Sequence, residues 1–174
     1  DYRRAAMAYD NALRFPIGEA RRRALQIKSM AAQEEDEPEV VEVVIDYFQP
    51  LALDSAAPWA TVRRLHAAER LSAMPGWEAV GRYLLALQLR QAGEAEEAER
   101  LLSEVLDLDD PHLTDEIRRA ASTERLIALT MLGRYDEAET QLSALVGDPA
   151  AKSGDQQDYE LWRKRLAYFS ARAA

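Results

Sequence analysis

Two histidines, His66 and His112, are the side chains best suited to metal or acid–base chemistry. Glu69 follows His66 by three residues, and a His-x-x-Glu pair on a helix binds a metal ion when a second such pair faces it. The only other histidine, His112, lies beside Pro111. The chain has no Cys, no Gly-x-Ser-x-Gly motif and no glycine-rich phosphate loop. We therefore expect a surface histidine at His66, no catalytic residue, no metal and no cofactor, so that the protein is not an enzyme.

Runs of like charge are the next candidates for binding chemistry. The acidic runs at 34–39 and 107–110 lack the alternating oxygen ligands, central glycine and distal Glu of a calcium loop, which favours solvated loops. Basic runs occur at 21–23, 63–64 and 163–165. Clustered arginines hold a phosphate or an acidic peptide, whereas arginines on separate helices simply cover exposed faces. The sequence leaves both interpretations of the basic runs open.

Composition predicts one all-α domain over residues 1–174. The chain is rich in Ala, Leu, Arg and Glu, which are strong helix formers, and 174 residues suffice for a sizeable core. Only Val40 to Ile45 has high strand propensity, and its surrounding charge pattern favours a helix. The net charge of −9 disfavours nucleic acid and anionic membrane surfaces as partners. No apolar run approaches the roughly 18 residues of a membrane span, so no membrane insertion is expected.

Proline and glycine divide the chain into nine predicted helices. Proline breaks a helix interior but is tolerated in its first turn, and all seven prolines stand where a helix should start or stop. Residues 50–58 are expected to be an irregular connector. The residues expected near the inner face of the helix that follows are Val62, Leu65, Ala68 (or Glu69) and Leu71-Ser72. The predicted helices cover about 1–15, 17–33, 38–48, 58–73, 77–92, 94–108, 111–132, 136–146 and 156–172.

A glycine turn followed by a small residue occurs twice, forty residues apart, and half of the pattern occurs once more. Copies of one motif separated by twenty to fifty residues indicate stacked repeats. The alanine allows two helices to approach closely, and larger residues four and seven positions later fill the groove between hairpins. The copies are Gly93 with Ala98, Leu102 and Val105; Gly133 with Ala138, Leu142 and Leu145; and Ala5 with Tyr9 and Ala12.

These residues resemble the tetratricopeptide repeat (TPR) family, clearly over residues 77–148 and as a half-repeat over 1–16. The resemblance departs from the family pattern at Arg125 and Leu126, which replace its large–small pair, and in the forty-residue spacing. The matching residues are Gly93 and Gly133 at the turn glycine, Tyr2 and Tyr135 at the turn aromatic, Ala5, Ala98 and Ala138 at the small residue, Leu85 and Ala86 at the large–small pair, Leu89 and Leu129 where a tyrosine is usual, and Pro16, Pro111 and Pro149 near the closing proline.

The resemblance implies a right-handed α-solenoid of antiparallel helix hairpins. Within it, 1–49 would hold the half-repeat and a degenerate hairpin, 50–76 the connector and one helix, 77–148 two repeats, and 154–174 a capping helix. Because the chain starts inside a motif, we expect it to be a fragment of a longer one, with Ala5, Met7 and Tyr9 buried by an upstream segment or another subunit. Residues of the concave, partner-binding face would be Tyr83, Leu87, Arg90, Thr123, Ile127 and Met131.

Those positions predict binding of a hydrophobic peptide or amphipathic helix, without the Lys and Asn of a family carboxylate clamp. Equally open is the alternative that the final helix, with Trp162 and Phe169, covers them as core. The expected function is a non-catalytic protein–protein interaction module or scaffold. Two further hypotheses are a self-associating scaffold, as a homodimer, and a regulatory domain of a larger multidomain protein. The sequence does not indicate a compartment.

Overall fold

The computed structural model describes residues 5, 8, 18–33, 37–48, 58–147 and 153–173, and these ranges form eight helices and no strand. The prediction of an all-α protein is confirmed for them. Ala5 and Ala8 are helical, but the rest of the predicted first helix and the connector at 50–57 lie outside the described residues. The helices are α1 (Glu19–Gln33), α2 (Pro38–Phe48), α3 (Pro58–Ser72), α4 (Glu78–Ala92), α5 (Ala95–Asp107), α6 (Asp115–Met131), α7 (Tyr135–Val146) and α8 (Ser153–Ala173).

Each helix packs chiefly against the helices that precede and follow it in the chain. Beyond these neighbours, α4 also contacts α6 directly. One hydrogen bond joins helices that are far apart in the chain: the Gln26 side-chain amide of α1 donates to the Glu116 carboxylate of α6 at 2.8 Å. Helix α1 therefore lies beside both α4 and α6.

Helix α2 contains the valine-rich segment with strand propensity. Pro38 occupies its first position, where a missing N–H is tolerated, and Glu39 favours the positive end of the helix dipole. The valines at 40, 41, 43 and 44 are buried. Burial of this stripe outweighs the local strand preference, so the prediction of a helix is confirmed. On the outer side, Arg63 of α3 donates to Asp46 at 2.6 Å.

The two predicted glycine turns have the same geometry. Gly93 and Gly133 end their helices with φ of 92° and 71°, a region in which a side chain would be strained. In each turn the glycine N–H bonds to the carbonyl three residues back, and the next N–H bonds to the carbonyl five back, which is a Schellman motif. The residues predicted to pack after each turn are buried: Ala98, Leu102 and Val105, and Ala138, Leu142 and Leu145.

Helix α6 begins at Asp115, four residues later than the sequence pattern predicts. Thr114 is its N-cap, and its hydroxyl accepts a hydrogen bond from the Ile117 N–H at 3.3 Å. Pro111 lies instead in a turn before the helix. His112, in the same turn, stacks on Trp77 with ring centroids 4.4 Å apart and contacts the Gly76 carbonyl oxygen at 2.8 Å. His112 thus joins the α3–α4 turn to the α5–α6 turn.

Two clusters of buried apolar side chains hold the helices together. The N-terminal core draws on α1 to α6, with Trp77, Leu84 and Leu102 among its members. The C-terminal core is smaller and draws on the second half of α6, on α7 and on α8, including Leu126 and Leu142. Helix α6 is therefore shared between the two clusters.

Val62 lies outside both cores, and the prediction that it faces inward is wrong. Its side chain is 66% exposed on α3. The buried positions of α3 are Ala60, Arg64, Ala67, Ala68 and Leu71. These recur at helical spacing, and Val62 stands midway between two of them, so it points to the opposite side of the helix.

Candidate functional site

The six residues predicted to line a concave face fall into three environments. Tyr83 is only 2% exposed and Leu87 is partly buried, and both belong with the N-terminal core. They face α1, because Arg23, Ala24 and Ile27 of that helix border the same space as these two α4 residues. The final helix does not cover them: α8 packs on α7, where Trp162 contacts the C-terminal core and Phe169 stacks on Tyr135.

Arg90 and Thr123 make contacts inside the protein. The Arg90 guanidinium forms an ion pair with Glu124, which links α4 to α6 with both side chains largely shielded from solvent. The Thr123 hydroxyl donates to the Arg119 carbonyl one turn earlier at 3.0 Å. Neither side chain is therefore free to be the main contact of a partner.

Ile127 and Met131 remain open to solvent. They follow Thr123 at intervals of four residues and so lie on one face of α6. Ile127 is partly exposed and Met131 is 49% exposed. We call Ile127 and Met131 the α6 face. It lies next to the Arg90–Glu124 ion pair, whose charges are matched.

A cavity of about 210 Å³ lies between α1, α2, α3, α4 and α6. We call it the Arg64 cavity. Its apolar wall consists of Ala24, Ile27, Phe48, Leu84 and Leu87. Its polar wall consists of Arg23, Tyr47, Arg64, Tyr83, Gln88, Gln91 and Glu124.

Two of the three basic runs each contribute one arginine to this cavity. Arg23 comes from the run on α1, and its guanidinium hydrogen-bonds the Tyr83 hydroxyl. Arg64 comes from the run on α3 and is 7% exposed. Among the described residues, its Nε and Nη2 atoms have no hydrogen-bond partner. Its neighbour Arg63 is exposed and pairs with Asp46, and the third run lies on exposed positions of α8.

Hydrogen bonds fix the tyrosines of the cavity. The Tyr47 hydroxyl donates to the Leu84 carbonyl at 3.3 Å and accepts from the Gln88 side-chain amide at 2.8 Å. The Gln88 Oε1 atom is buried without a donor in the described part of the chain. Burial raises the pKa of Tyr83 to about 12, and it raises the pKa of Tyr47 further, because the charged phenolate loses its hydration. Both phenols are neutral at physiological pH.

The His66–Glu69 pair, the candidate for metal binding in the sequence, has no third ligand beside it among the described residues. His66 Nδ1 and Glu69 lie 4.0 Å apart, and both side chains are mostly exposed. Across the ranges that the structure describes, no three His, Asp or Glu side chains come close enough together to hold a metal ion. Within the same ranges, no helix is both long and apolar enough to cross a bilayer.

Helical spacing in the sequence indicates that Arg64 is buried, although its charge suggests an exposed position. Arg64 lies four residues after Ala60 and three before Ala67, so it continues the buried stripe of α3. Arg23 precedes the buried Ile27 by four residues in the same way. Runs of arginine suggest solvated surfaces, and only helical register distinguishes the inward member of each run.

Comparison with known proteins adds no family to this description. No family model, no curated protein and no solved structure matches the chain.

Proposed function

We propose that this chain is a non-catalytic protein-interaction module of the TPR type, a scaffold or adaptor whose α6 face receives an apolar peptide or helix of a partner. The observation that carries this proposal is the half-exposed Met131 in line with Ile127 on α6. The two identical glycine turns and the matched burial of the residues after them support a repeat architecture. Packing between successive helices supports a solenoid in which α8 is the cap, and the TPR resemblance implies that this solenoid is right-handed.

The chemistry of the α6 face favours an amphipathic helix as the partner. Met side chains adapt their shape to different apolar surfaces, and Ile127 extends the same strip. The charges of the nearby Arg90 and Glu124 cancel, so the surroundings of the strip favour neither an acidic nor a basic residue on the partner. The net charge of −9 on the whole chain favours basic residues flanking the partner's apolar face.

A charge-insertion experiment tests the α6 face directly. The test variant is Ile127→Glu/Met131→Glu, and the matched control is Ile45→Glu/Val62→Glu, which adds the same charge at exposed positions on α2 and α3. Tyr83 is unsuitable for this purpose because its removal would damage the N-terminal core. Circular dichroism first establishes that both variants remain folded.

We expect the wild type and the control to capture the same protein from a lysate of the source organism, as identified by mass spectrometry, and the test variant to lose it. A synthetic peptide from the captured protein should then bind the wild type at least tenfold more tightly than the test variant. Equal capture by the test variant would exclude the α6 face as the binding surface.

Self-association is a second candidate, favoured by α8. This helix exposes Leu161 and Tyr168, which lie seven residues apart and so on one side of the helix. Sedimentation velocity should then show a dimer that dissociates in a Leu161→Glu/Tyr168→Glu variant. A monomer at all concentrations would rule this candidate out and leave the α6 face unaffected.

A further inference from the structure

We propose that the Arg64 cavity binds a carboxylate carried on a small apolar group. The cavity lies between α1 and the inner sides of α2, α3 and α4, and its lining includes no member of the α6 face. The proposal therefore goes beyond the interaction module and does not depend on it.

The buried guanidinium of Arg64 is the first observation. A charge removed from water destabilises a protein strongly unless it is paired or hydrogen-bonded. Arg64 is 7% exposed, and the described residues offer no acceptor to Nε or Nη2. These two nitrogens are adjacent donors of one planar fork, and such a fork matches the two oxygens of a carboxylate. A bound carboxylate would supply the charge and the acceptors that Arg64 lacks.

The sign of charge in the cavity is the second observation. Arg64 contributes a guanidinium to the lining whose Nε and Nη2 atoms have no acceptor among the described residues, and Glu124, the carboxylate that the structure describes in this lining, is already ion-paired with Arg90. The cavity thus carries positive charge within a protein of net charge −9. Tyr47 and Tyr83 stay neutral because burial raises their pKa values, so they add no negative charge. This electrostatic pattern selects for an anion.

The apolar walls of the cavity indicate which chemical group carries the carboxylate. Ile27, Phe48 and Leu87 face the cavity, and apolar side chains stabilise an aromatic or aliphatic body rather than a second charged group. A volume of about 210 Å³ limits this body to one small ring or a short chain. The ligand is a free organic acid of this kind or the acidic side chain of a peptide, and both present the same carboxylate to Arg64.

An NMR titration tests this class of ligand with named probes. The acid is 3-phenylpropionate, and the neutral control is 3-phenylpropan-1-ol, which has the same apolar body. We expect the acid to shift the methyl signals of Ile27 and Leu87 and the side-chain amide of Gln88, and to bind at least tenfold more tightly than the alcohol. Equal binding of the two probes, or shifts located elsewhere, would overturn the proposal.

Arg64→Met is the decisive variant, and Arg63→Met is its control on the preceding, exposed position. We expect Arg64→Met to weaken binding of the acid about 10- to 100-fold, as loss of a charge-assisted hydrogen bond predicts, and Arg63→Met to leave it within about twofold. Without ligand, Arg64→Met should melt at the same or a higher temperature, because it removes an unpaired buried charge. A lower melting temperature would mean that the guanidinium serves the fold, and this result would also overturn the proposal.

A blocked peptide, acetyl-Ala-Leu-Glu-Leu-Ala-amide, distinguishes the two sources of carboxylate. Binding of 3-phenylpropionate alone identifies a free acid as the ligand class, whereas binding of the peptide, with loss on Glu→Gln exchange in the peptide, identifies an acidic side chain. Failure of both probes in wild-type protein would exclude the site, and capture of a partner by the α6 face would be unaffected.

Discussion

The N-terminal and C-terminal cores rest on similar hairpins but differ in how many helices they join. The N-terminal core brings together six helices, whereas the C-terminal core joins three at the end of the described chain. Their turns are alike, since Gly93 and Gly133 make the same motif. Turn geometry is thus a local property of a few residues, while stability depends on how many neighbours a hairpin has. We expect the C-terminal core to open before the N-terminal core.

The largest effect should come from the equivalent leucines, Leu102 and Leu142. Both are buried, and truncation of such a leucine to alanine destabilises a protein by about 2–5 kcal/mol. Leu102→Ala should lower the free energy of unfolding more, because it lies in the larger core. Hydrogen exchange should accelerate throughout α1 to α6 in Leu102→Ala, but only in the second half of α6, in α7 and in α8 in Leu142→Ala. The same exchange pattern in both variants would show that the two cores unfold as one unit.

Gly81→Ala should break the contact between α3 and α4 within the N-terminal core. A Cβ atom at Gly81 would lie 2.2 Å from the backbone nitrogen of Ser72, which cannot yield as a flexible side chain would. We expect a loss of about 3 kcal/mol, at the upper end for overpacking, in urea unfolding experiments.

Gly147→Ala is the control, because its Cβ would meet the nearest atom at 3.4 Å and its backbone has φ of −77°. Its stability should change by less than about 0.5 kcal/mol. A Gly81→Ala variant as stable as this control would contradict the close approach of the two helices.

Glu99→Gln should separate the two glycine-turn hairpins at their ionic link. The buried Glu99 carboxylate of α5 accepts from Arg125 of α6 at 2.9 Å and from Arg134 in the second turn at 3.1 Å. Its neutralisation leaves Arg125 without its charge partner and removes one of the two carboxylates that pair with Arg134, which keeps its ion pair with Glu137. Because the arginines are partly exposed, we expect a loss of about 2 kcal/mol rather than the larger value for a fully buried pair.

Glu97→Gln is the matched control, since Glu97 is exposed and pairs with Arg100 on its own helix. It should leave the free energy of unfolding almost unchanged, because solvent screens an ion pair at the surface. If chemical denaturation gives equal effects for the two variants, the link between the hairpins contributes little.

Alkaline pH should weaken the N-terminal core through Tyr83. Its pKa is about 12 in the folded protein and about 10 without burial. The contribution of Tyr83 to the free energy of unfolding is complete below pH 10, where its phenol is protonated in both the folded and the unfolded protein. Between pH 10 and 12 the unfolded state loses the proton first, so stability falls by about 1 kcal/mol at pH 11.

Thermal melts from pH 8 to 11.5 measure this effect, and Tyr83→Phe should have a flatter profile than wild type. Tyr168→Phe, at an exposed position on α8, should keep the wild-type slope. A wild-type slope in Tyr83→Phe would assign the pH dependence to other groups.

Local patterns in the sequence predicted the parts of the fold that depend on a few adjacent residues. Gly93, Gly133 and the alanines and leucines that follow them are sufficient to specify a turn and a packing face, and both predictions are confirmed. The predicted start of α6 is wrong because a proline and a threonine cap three residues apart compete as start signals, and Thr114 also satisfies a backbone donor. The prediction for Val62 is wrong because the helical register, and not hydrophobicity, determines which side of α3 a residue occupies.

The site was harder to predict than the fold because it depends on contacts between distant residues. Tyr83 and Leu87 were predicted to lie on the concave surface, but α1 packs beside them. The sequence of α4 alone does not show that a helix about sixty residues earlier packs against it. Arg23 and Arg64 are forty-one positions apart, and only folding brings them to one cavity. The binding role of the α6 face remains a prediction.

Packing between successive helices also has a consequence for folding kinetics. Contacts between residues close in sequence require little loop closure, and proteins dominated by them fold within microseconds to milliseconds. The hydrogen bond from Gln26 to Glu116 spans 90 residues and is an exception. The docking of α1 should therefore be the slowest step, so that the helices can be formed and paired before the cavity between α1 and α4 exists.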